Sequence, residues 1–447
     1  MWNHRITGFT YPMIKVAIET HGCKLNQADS QLLASELQDR GFKISALDQG
    51  IDVYILNTCT VTHVADSKAR NSIRKAKRMS PKAITVVTGC YAERDPVSIE
   101  EVGDIDLIIG NSNKKNIVDG ILSICNEIQY SYEAKENYSS SNVVSLLEGN
   151  REQVKTRAML KIQEGCNQVC SYCIVPKVRG REVSVGTTSL VENIRMLEKA
   201  GYREVVLTGT QLGSYGFETK GNNLHTLIST ILDKTSIERI RVSSLQPQEI
   251  TSDLLGLWSN KRLCPHFHVP LQSGNNEILK VMRRRYSSEQ FIYATELIAK
   301  TVVGSGITTD VIVGFPGETD KFFQDTFGIC SESPLSDIHV FPYSRRPGTS
   351  AYYIKDQVKS EFKSYRVSEL MDLARNKNTD FIHKATQLRH NILWEKPSHL
   401  DGRKIWSGLT GNYIKVLSSS SGNLSNTITN AEVYLDLQGI LWARDAS

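Results

Sequence analysis

The first third of the chain alternates short apolar runs with longer stretches in which apolar residues recur every three or four positions. The runs Lys15–Glu19, Val53–Leu56, Ile84–Val87 and Asp106–Ile109 have the length and composition of buried strands, and the stretches between them have the periodicity of helices. This alternation predicts an open parallel sheet with helices on both faces over residues 14–130.

A second series of strands and helices occupies the middle of the chain. Its apolar runs, such as Glu204–Thr208 and Thr308–Val313, are each followed by a stretch with helical periodicity. Counted as strand-plus-helix units, the series predicts a partial or full parallel barrel over residues 152–375. In such barrels the active residues gather at the carboxyl ends of the strands.

The pattern changes again near residue 376, after a helical stretch. Short segments of alternating apolar and polar residues follow, with a Ser-rich loop at Ser418–Ser421, and they predict a small β-barrel over residues 376–447. The segment Ser131–Lys155 is rich in Ser, Asn and Glu and is typical of an interdomain linker. Residues 1–12 show neither periodicity, and we interpret them as a loose extension.

Bulk composition excludes several classes of protein. The 447 residues are 40% hydrophobic and 23% charged, which is ordinary for a globular protein of two or three domains. No apolar run approaches the ~20 residues of a membrane span, and the amino terminus lacks the apolar core of a signal peptide. Nine cysteines without secretion indicate a reducing compartment, so we expect a cytoplasmic protein. The formal charge of +5 is compatible with a nucleic-acid partner but does not require one.

The most specific motif is EGCNQVCSYC, which places Cys166, Cys170 and Cys173 at a C-x3-C-x2-C spacing. A zinc site would need a second pair of Cys or His, and none follows. A disulfide framework would leave an odd thiol, and burial of all three as small hydrophobes does not fit so polar a loop. Three thiolates can each hold one iron of a four-iron cluster, which normally has four cysteine ligands. The spacing therefore predicts an iron–sulfur cluster with one iron open to another ligand.

A second group of cysteines shares one position in the predicted sheet. Cys23, Cys59 and Cys90 each follow an apolar run directly, and the carboxyl ends of parallel strands lie along one edge where ligands bind. We therefore expect these residues to meet in space, with Gly22 and Gly89 allowing close approach of the backbone. The alternative is three unrelated buried thiols near strand ends.

Both groups lie in phrases that resemble the radical S-adenosylmethionine methylthiotransferase family over nearly the whole chain. ETHGCKLNQADSQLLASEL, NTCTVTHVADSKAR and TGCYAERDP are similar to its amino-terminal domain, and QEGCNQVCSYCIVPKVRGRE is similar to its radical core. The resemblance implies a flavodoxin-like first domain, a radical S-adenosylmethionine barrel and a closing β-barrel module called TRAM. It also implies two 4Fe-4S clusters. The auxiliary cluster, on Cys23, Cys59 and Cys90, carries the sulfur to be transferred, and the second, on Cys166, Cys170 and Cys173, cleaves S-adenosylmethionine to a 5′-deoxyadenosyl radical.

The same resemblance implies contacts to S-adenosylmethionine at the carboxyl ends of the barrel strands. Gly209 and Gln211 would lie near the methionyl amine, and Ser243 or Ser244 near the ribose. The remaining cofactor-binding candidates are the aromatic residue before the last cysteine and three residues assigned to the adenosine, namely Tyr172, Gln272, Val313 and Gly314. An ordinary polar loop remains the alternative for each position.

Other residues with chemical potential are open to two interpretations. His268 is a candidate base, but an isolated His on an apolar strand is more often a core residue, and we favour that interpretation. Three further cysteines match no ligand spacing and are expected to pack in cores: Cys125, Cys264 and Cys330. Basic residues cluster in one helix (Lys68, Arg70, Arg74, Lys75, Lys77 and Arg78), after the radical motif (Arg179 and Arg181) and at Arg283–Arg285. The helix has either a solvated face or a phosphate-binding face.

Motif similarity also indicates a substrate. The phrases THGCKLNQADS, VFPYSRRPGTSA and HVPLQSGNNEILKVMRRRY are closest to the branch that methylthiolates carbon-2 of N6-threonylcarbamoyladenosine beside the anticodon of tRNA. The branches acting on N6-isopentenyladenosine in tRNA and on an aspartate of a ribosomal protein are the alternatives. An RNA-binding protein with structural metal clusters is the hypothesis from a different class. The enzyme would need tRNA, an external electron donor and a sulfur source, and we expect a monomer without membrane attachment.

The carboxy-terminal module leaves two possibilities open. GNYIKV is weakly similar to the TRAM module. The module either binds RNA through a few residues, such as Lys404, Trp406, Tyr413 and Lys415, or docks on the barrel as a brace.

Overall fold

The computed structural model describes residues 14–48, 50–127, 156–386 and 388–444. The chain divides into two compact units, residues 1–149 and 150–447. The predicted linker Ser131–Lys155 and extension 1–12 lie outside the described residues. Across the described segments, no helix combines the length and the apolar character that a membrane crossing requires.

The first unit contains a five-stranded parallel sheet in the order β2-β1-β3-β4-β5. This order is that of flavodoxin-like folds, as predicted. The prediction omitted β2, a three-residue edge strand too short to give a periodic signal. The strands are β1 Lys15–Thr20, β2 Lys43–Ser45, β3 Val53–Thr58, β4 Ile84–Gly89 and β5 Leu107–Gly110. The helices are α1 Lys24–Asp39, α2 His63–Met79, α3 Cys90–Arg94, α4 Pro96–Glu100 and α5 Ile117–Glu127.

Burial on both faces explains why the strands of this sheet are continuous apolar runs. Successive residues of β3 point to opposite faces: Val53 and Ile55 join the core against α1 and α5, whereas Tyr54 and Leu56 join the core that contains Ile73 of α2. Parallel strands covered by helices on both faces show this pattern, since neither face is left to water.

The second unit begins with six parallel strands that form one curved array. Two three-stranded sheets, β10-β9-β6 and β11-β12-β13, are linked by the isolated parallel bridges Ile240–Leu263 and Ser244–His268, and the bridge Gln272–Val311 extends the pairing inside the second sheet. No described pairing joins β13 to β6, so the barrel is partial rather than full. Its strands are β6 Arg157–Lys161, β9 Glu204–Thr208, β10 Arg239–Val242, β11 His266–His268, β12 Gly306–Val313 and β13 Asp337–Pro342, and the short hairpin β7 Gln163–Glu164 and β8 Val183–Ser184 lies beside them.

Helices separate these strands. Several begin at a side chain that accepts a backbone N–H, which sets the helix start; Ser287, for example, accepts from the N–H of Gln290 at 3.3 Å. The helices are α6 Val175–Val178, α7 Thr187–Lys199, α8 Leu224–Lys234, α9 Ser252–Gly256, α10 Asn276–Val281, α11 Ser288–Thr301, α12 Asp320–Glu332 and α13 Ser360–Ala385. Helix α13 runs through residue 376, and the division of domains at that residue stays a prediction.

The chain ends in a closed five-stranded barrel of order β14-β15-β16-β18-β17, as predicted. Its interior is apolar and contains two fully buried indoles, Trp394 and Trp406. Trp406 is therefore a core residue and not part of an RNA-binding surface. The strands are β14 Arg389–Leu400, β15 Arg403–Thr410, β16 Lys415–Ser418, β17 Ile428–Leu435 and β18 Leu441–Arg444.

A buried ionic cluster fastens this small barrel to the six-stranded array. The fully buried carboxylate of Glu204 lies 2.8 Å from Nε of both Arg239 and Arg241. The same guanidinium groups donate to main-chain oxygens of the small barrel, Arg239 to Thr410 at 3.0 Å and Arg241 to Gly411 at 2.9 Å. The two guanidinium groups therefore contact Glu204 and the main chain of the small barrel at the same time.

Replacing Glu204 with Gln should destabilise the protein by about 3–5 kcal/mol, because two buried guanidinium charges lose their counter-ion. Thermal unfolding measures the effect. Glu238→Gln is the matched control, since Glu238 and its partner Arg203 are 44% and 43% exposed and an exposed pair contributes about 1 kcal/mol at most. Equal shifts for the two variants would contradict the role of the cluster.

Candidate functional site

The first group of cysteines lies along the carboxyl edge of the parallel sheet. Cys23 is the N-cap of α1 and follows β1, Cys59 follows β3, and Cys90 is the first residue of α3 after β4. Their exposure falls in chain order, from the exposed Cys23 to the partly buried Cys59 and the buried Cys90. The sheet therefore brings together three thiols that are more than thirty residues apart in sequence, as predicted.

Two glycines allow this approach. Gly22 and Gly89 have φ of +97° and +95°, a backbone conformation that a side chain disfavours. A Cβ added to Gly22 would lie 2.7 Å from Cβ and 3.0 Å from Sγ of Cys59. The absent side chain thus leaves the room in which the loops after β1 and β3 meet.

Buried amides hold the same loops in place. Nδ2 of Asn26 donates to the carbonyl oxygens of His21 at 2.7 Å and Thr58 at 2.9 Å, which ties α1 to the ends of β1 and β3. Nδ2 of Asn57 donates to the Asn26 carbonyl at 2.9 Å, and Nδ2 of Asn111 donates to Sγ of Cys90 at 3.5 Å. These bonds tie the loops that carry the three thiols to one another.

Burial dominates the electrostatics of this group. It raises the pKa of the Cys59 thiol to about 11, and the neighbouring thiols of Cys90 and Cys23 add to the shift because two thiolates would repel. The protein alone therefore disfavours a thiolate here, and a bound cation is what would stabilise one.

The second group lies in the loop after β7, held by main-chain hydrogen bonds to distant segments. Cys166 N–H donates to the Gly180 carbonyl at 3.1 Å, and Ser171 N–H donates to the Met282 carbonyl at 3.0 Å. Gly165 has φ of +76°, and a Cβ there would lie 1.9 Å from the carbonyl oxygen of Arg181. Burial raises the pKa of the Cys166 thiol and, to about 12, that of Cys173, and the neighbouring thiols add to both shifts.

Arg284 is a site residue that the sequence analysis did not identify. Its Nη1 lies 3.3 Å from Sγ of Cys170 and 3.5 Å from Oη of Tyr172, and its guanidinium group stacks 4.7 Å from the ring centre of Tyr286. In the sequence it belongs to the basic run Arg283–Arg285. The apolar residues Met282 and Tyr286, each two positions away from it, were the available signal.

Gln211 lies in a buried polar network beside this loop. Its main-chain N–H donates to Oε1 of Gln163 at 2.8 Å, its side-chain Nε2 donates to Glu249, and its side-chain oxygen accepts from Gln246. Gln163 in turn donates to Glu182 at 2.6 Å. Burial raises the pKa of the Glu249 carboxyl to about 7. The sequence analysis missed Glu182, Glu249 and Gln163, because only tertiary contact links them to Gln211.

The other predicted cofactor contacts occupy different surroundings. Tyr172 packs edge-on against Phe315 at 6.4 Å between ring centres. Ser243 is buried and Ser244 is exposed, so the two candidates for the ribose face opposite sides. Gln272 has a φ of +64°, and its main chain bonds to β12. The remaining residues follow along the chain: Gly209 after β9, Val313 at the end of β12 and Gly314, whose N–H donates to Glu318 at 2.6 Å.

The sequence indicated that His268 is isolated on its strand, but in the structure it belongs to a group of three polar side chains. Its Nε2 lies 3.2 Å from Oδ2 of Asp310, and Nδ1 of His339 lies 3.1 Å from Oδ1 of the same carboxylate. Burial opposes ionisation of Asp310, but the hydrogen bonds from the two imidazoles outweigh it and lower the pKa of its carboxyl. The strands β11, β12 and β13 supply one residue each, so no local motif could have indicated the group.

Three further predictions have a structural outcome. Cys125, Cys264 and Cys330 are at most 3% exposed, as expected of packing residues. Helix α2 packs Ala69, Ile73 and Ala76 against the sheet and exposes Lys68, Arg74, Lys75 and Arg78. Tyr413 stacks on His266 at 4.5 Å between ring centres, and Arg241 covers its ring. The contacts of Tyr413 favour the brace interpretation of the small barrel.

Two family descriptions match the chain. Residues 15–110 match the "Uncharacterized protein family UPF0004", and residues 160–328 match the "Radical SAM superfamily". Each match contains one of the two cysteine groups.

Curated relatives extend over nearly the whole chain. The chain is 38% identical to the threonylcarbamoyladenosine tRNA methylthiotransferase MtaB of Aquifex aeolicus (strain VF5), over 90% of this chain and 96% of the relative. Identity to the protein of the same name from Bacillus subtilis (strain 168) is 34%, over 94% of both chains. The tRNA-2-methylthio-N(6)-dimethylallyladenosine synthase of Carboxydothermus hydrogenoformans is 33% identical, over 95% of this chain and 98% of the relative.

Among solved structures, the chain is similar to the radical S-adenosylmethionine methyltransferase TsrM from Kitasatospora setae. The TM-score is 0.52 at 15% identity, over 76% of this chain and 77% of that structure. At this identity the similarity shows the fold alone.

Thiol reactivity in protein prepared without iron should follow burial. At pH 8 an alkylating reagent should label the exposed Cys23 well before Cys59, because the thiolate is the reactive form and the pKa of Cys59 is raised to about 11. The Cys59 rate should rise about tenfold for each pH unit below that pKa. Peptide mass spectrometry measures both rates, and equal labelling at pH 8 would contradict the assigned burial.

Proposed function

This chain belongs to the radical S-adenosylmethionine methylthiotransferases, and from that premise we propose that it methylthiolates carbon-2 of N6-threonylcarbamoyladenosine beside the anticodon of tRNA. The observation that carries the proposal is the presence of two separate groups of three cysteines, one at the carboxyl ends of three parallel strands and one in the single loop that follows β6 and β7. An RNA-binding protein with structural metal sites would need saturated ligand sets, whereas both groups are one ligand short of a closed cluster.

The residues fit two four-iron clusters. Cys23, Cys59 and Cys90 would hold one. Because Gly22 has no side chain, the space next to Sγ of Cys59 stays open for it. The loop of Cys166, Cys170 and Cys173 would hold the other. Among the described residues, the other cysteines are buried in cores and offer neither group a fourth thiolate. When bound, the clusters would supply the electron that cleaves S-adenosylmethionine and the sulfur for insertion at an inert C–H bond.

The protein's own residues prepare the second site for a zwitterionic cofactor. The guanidinium group of Arg284 donates to Sγ of Cys170 and keeps positive charge beside the thiolates. Elsewhere in the same unit, the carboxyl of Glu249 accepts a hydrogen bond from Nε2 of Gln211. We assign this pair to the amino group of S-adenosylmethionine, because an ammonium ion would favour the ionised carboxylate that burial opposes. The remaining contacts carry over as proposed: Tyr172, Gly209, Ser243, Ser244, Gln272, Val313 and Gly314.

Surface charge supports a nucleic-acid substrate. The single acidic residue of α2, Asp66, is 3% exposed and pairs with Arg94 at 3.0 Å. The exposed face of the helix is therefore basic without interleaved carboxylates, which suits contact with the phosphates of an anticodon stem-loop. We place the reaction in the cytoplasm and assign it to a monomer that takes electrons and sulfur from external donors.

The choice of substrate rests on the relatives. Those from Aquifex aeolicus and Bacillus subtilis are named for threonylcarbamoyladenosine, whereas the one from Carboxydothermus hydrogenoformans is named for dimethylallyladenosine. Sequence identity is higher to the two relatives named for threonylcarbamoyladenosine, which favours this nucleoside as the substrate. The dimethylallyl (isopentenyl) nucleoside is the second candidate. A ribosomal-protein aspartate is the third.

Nucleoside mass spectrometry of tRNA from a strain that lacks the gene tests the proposal. The methylthio form of N6-threonylcarbamoyladenosine should be absent and should return when the gene is restored. The methylthio form of the isopentenyl nucleoside should be unchanged. Loss of the isopentenyl product instead would identify the second candidate, and unchanged tRNA would overturn the assignment to tRNA.

Serine variants test the division of labour between the two groups. Cys170→Ser should abolish cleavage of S-adenosylmethionine, whereas Cys59→Ser should retain cleavage and lose methylthiolation, because each removes a ligand from one cluster only. Iron content after anaerobic reconstitution should fall from about eight to about four per chain in either variant. Cys330→Ser, at a packing position, is the control. Equal loss of cleavage in Cys59→Ser and Cys170→Ser would be inconsistent with separate roles.

A further inference from the structure

Three adjacent strands of the partial barrel bring two imidazoles and one carboxylate together. His268 ends β11, Asp310 lies in β12, and His339 lies opposite Asp310 in β13. One potential ligand atom from each residue lies within 4.8 Å of the others. The carboxylate is central, with one oxygen 3.2 Å from Nε2 of His268 and the other 3.1 Å from Nδ1 of His339.

This group faces the same side of the sheet as part of the cysteine loop. Side chains of a strand alternate between its two faces, so Asp310 shares a face with Ile312. Ile312 packs in a cluster that contains Tyr172, the residue between Cys170 and Cys173. The neighbours Thr309 and Val311 are fully buried on the opposite face. The three side chains therefore lie on the inner, reactive side of the array.

Hydrogen bonding orients His268 toward the carboxylate. Its Nδ1 lies 2.9 Å from Oγ1 of Thr308, and that hydroxyl lies 3.5 Å from the carbonyl oxygen of Phe267. Without an ion, Nε2–H of His268 donates to Asp310. In the other tautomer, Nδ1–H donates to Oγ1 of Thr308 and the Nε2 lone pair is available to a cation held between the imidazole and the carboxylate. Metal-binding imidazoles are oriented in this way by a partner on the other ring nitrogen.

We propose that His268, Asp310 and His339 form a binding site for one divalent cation. Nε2 of His268 and Nδ1 of His339 lie 3.2 and 3.1 Å from the two carboxylate oxygens of Asp310. These separations are close to the ~3 Å between neighbouring ligand atoms that are each ~2.1 Å from one ion. Two imidazoles and one carboxylate are a known ligand set for iron, and for zinc when other positions stay open. Exposure increases from His268 at 12% to His339 at 48%, which leaves one side of the site accessible.

Such an ion would change what this face can bind. Without it, the face carries the anionic carboxylate of Asp310 and would repel a substrate anion. With it, the open coordination positions would accept an oxygen ligand, such as a substrate carboxylate or hydroxyl. The site shares no residue with either cysteine group, and its test measures metal binding and not methylthiolation.

Manganese binding tests the site in the full-length protein with both clusters reconstituted and no RNA present. Free Mn²⁺ is counted by electron paramagnetic resonance during an anaerobic titration, because this ion does not compete well for thiolates. We expect one saturable Mn²⁺ per chain that Zn²⁺ displaces. Asp310→Asn should weaken binding by about 100-fold and His339→Ala by at least about tenfold, a scale taken from losses at established metal sites.

His339→Ala keeps the test informative if Asp310→Asn fails to fold, since the His339 side chain is 48% exposed. Asp253→Asn is the matched control, because Asp253 lies 3.5 Å from His225 and the described part of the chain adds no third ligand to this pair. It should bind Mn²⁺ like the wild type. Wild-type protein without a saturable site, or His339→Ala with unchanged affinity, would overturn the proposal.

Discussion

Close approach of the main chain to the cysteine loops is the constraint on which the rest of the structure depends. At Gly22 and at Gly165 the backbone occupies a conformation and a space that exclude a side chain. Each glycine directly precedes a cysteine of one group. The thiols can therefore turn toward a shared centre over a very short length of chain, and the strands behind them stay regular because the loops absorb the change of direction.

The parallel strands then bring these local turns next to one another. In the first unit, β1, β3 and β4 end side by side, so residues that follow different strands become neighbours. Asn26 and Asn57 convert that proximity into fixed geometry, because their buried amides bond to the main chain of neighbouring loops. The second unit solves the same problem with a single loop, whose position depends on bonds to Gly180 and Met282. One unit assembles its thiols from three strand ends, and the other assembles them from eight consecutive residues.

The parts of the molecule that could be predicted are those encoded by local periodicity or spacing. Strands buried on both faces, the C-x3-C-x2-C motif and the repeated position of cysteine after strands were all visible in the sequence. The edge strand β2 was not, since three residues carry no period. Arg284 and Glu249 were missed for a different reason. Their roles come from contacts with residues more than thirty positions away, and in isolation each is an ordinary charged residue. His339 and Asp310, 29 positions apart in sequence, were missed because only strand pairing brings them together. The inward orientation of Trp406 likewise depends on tertiary packing.

The cluster of Glu204, Arg239 and Arg241 determines how far the chain can be shortened. Three main-chain oxygens of the small carboxy-terminal barrel, from Leu409, Thr410 and Gly411, serve as acceptors for these two guanidinium groups. An artificial truncation before Arg389 would expose the ionic cluster to water and leave those donors without protein acceptors. The small barrel is thus a structural lid on the base of the larger one, and exchanging it between related proteins would require matching carbonyl positions as well as a matching surface.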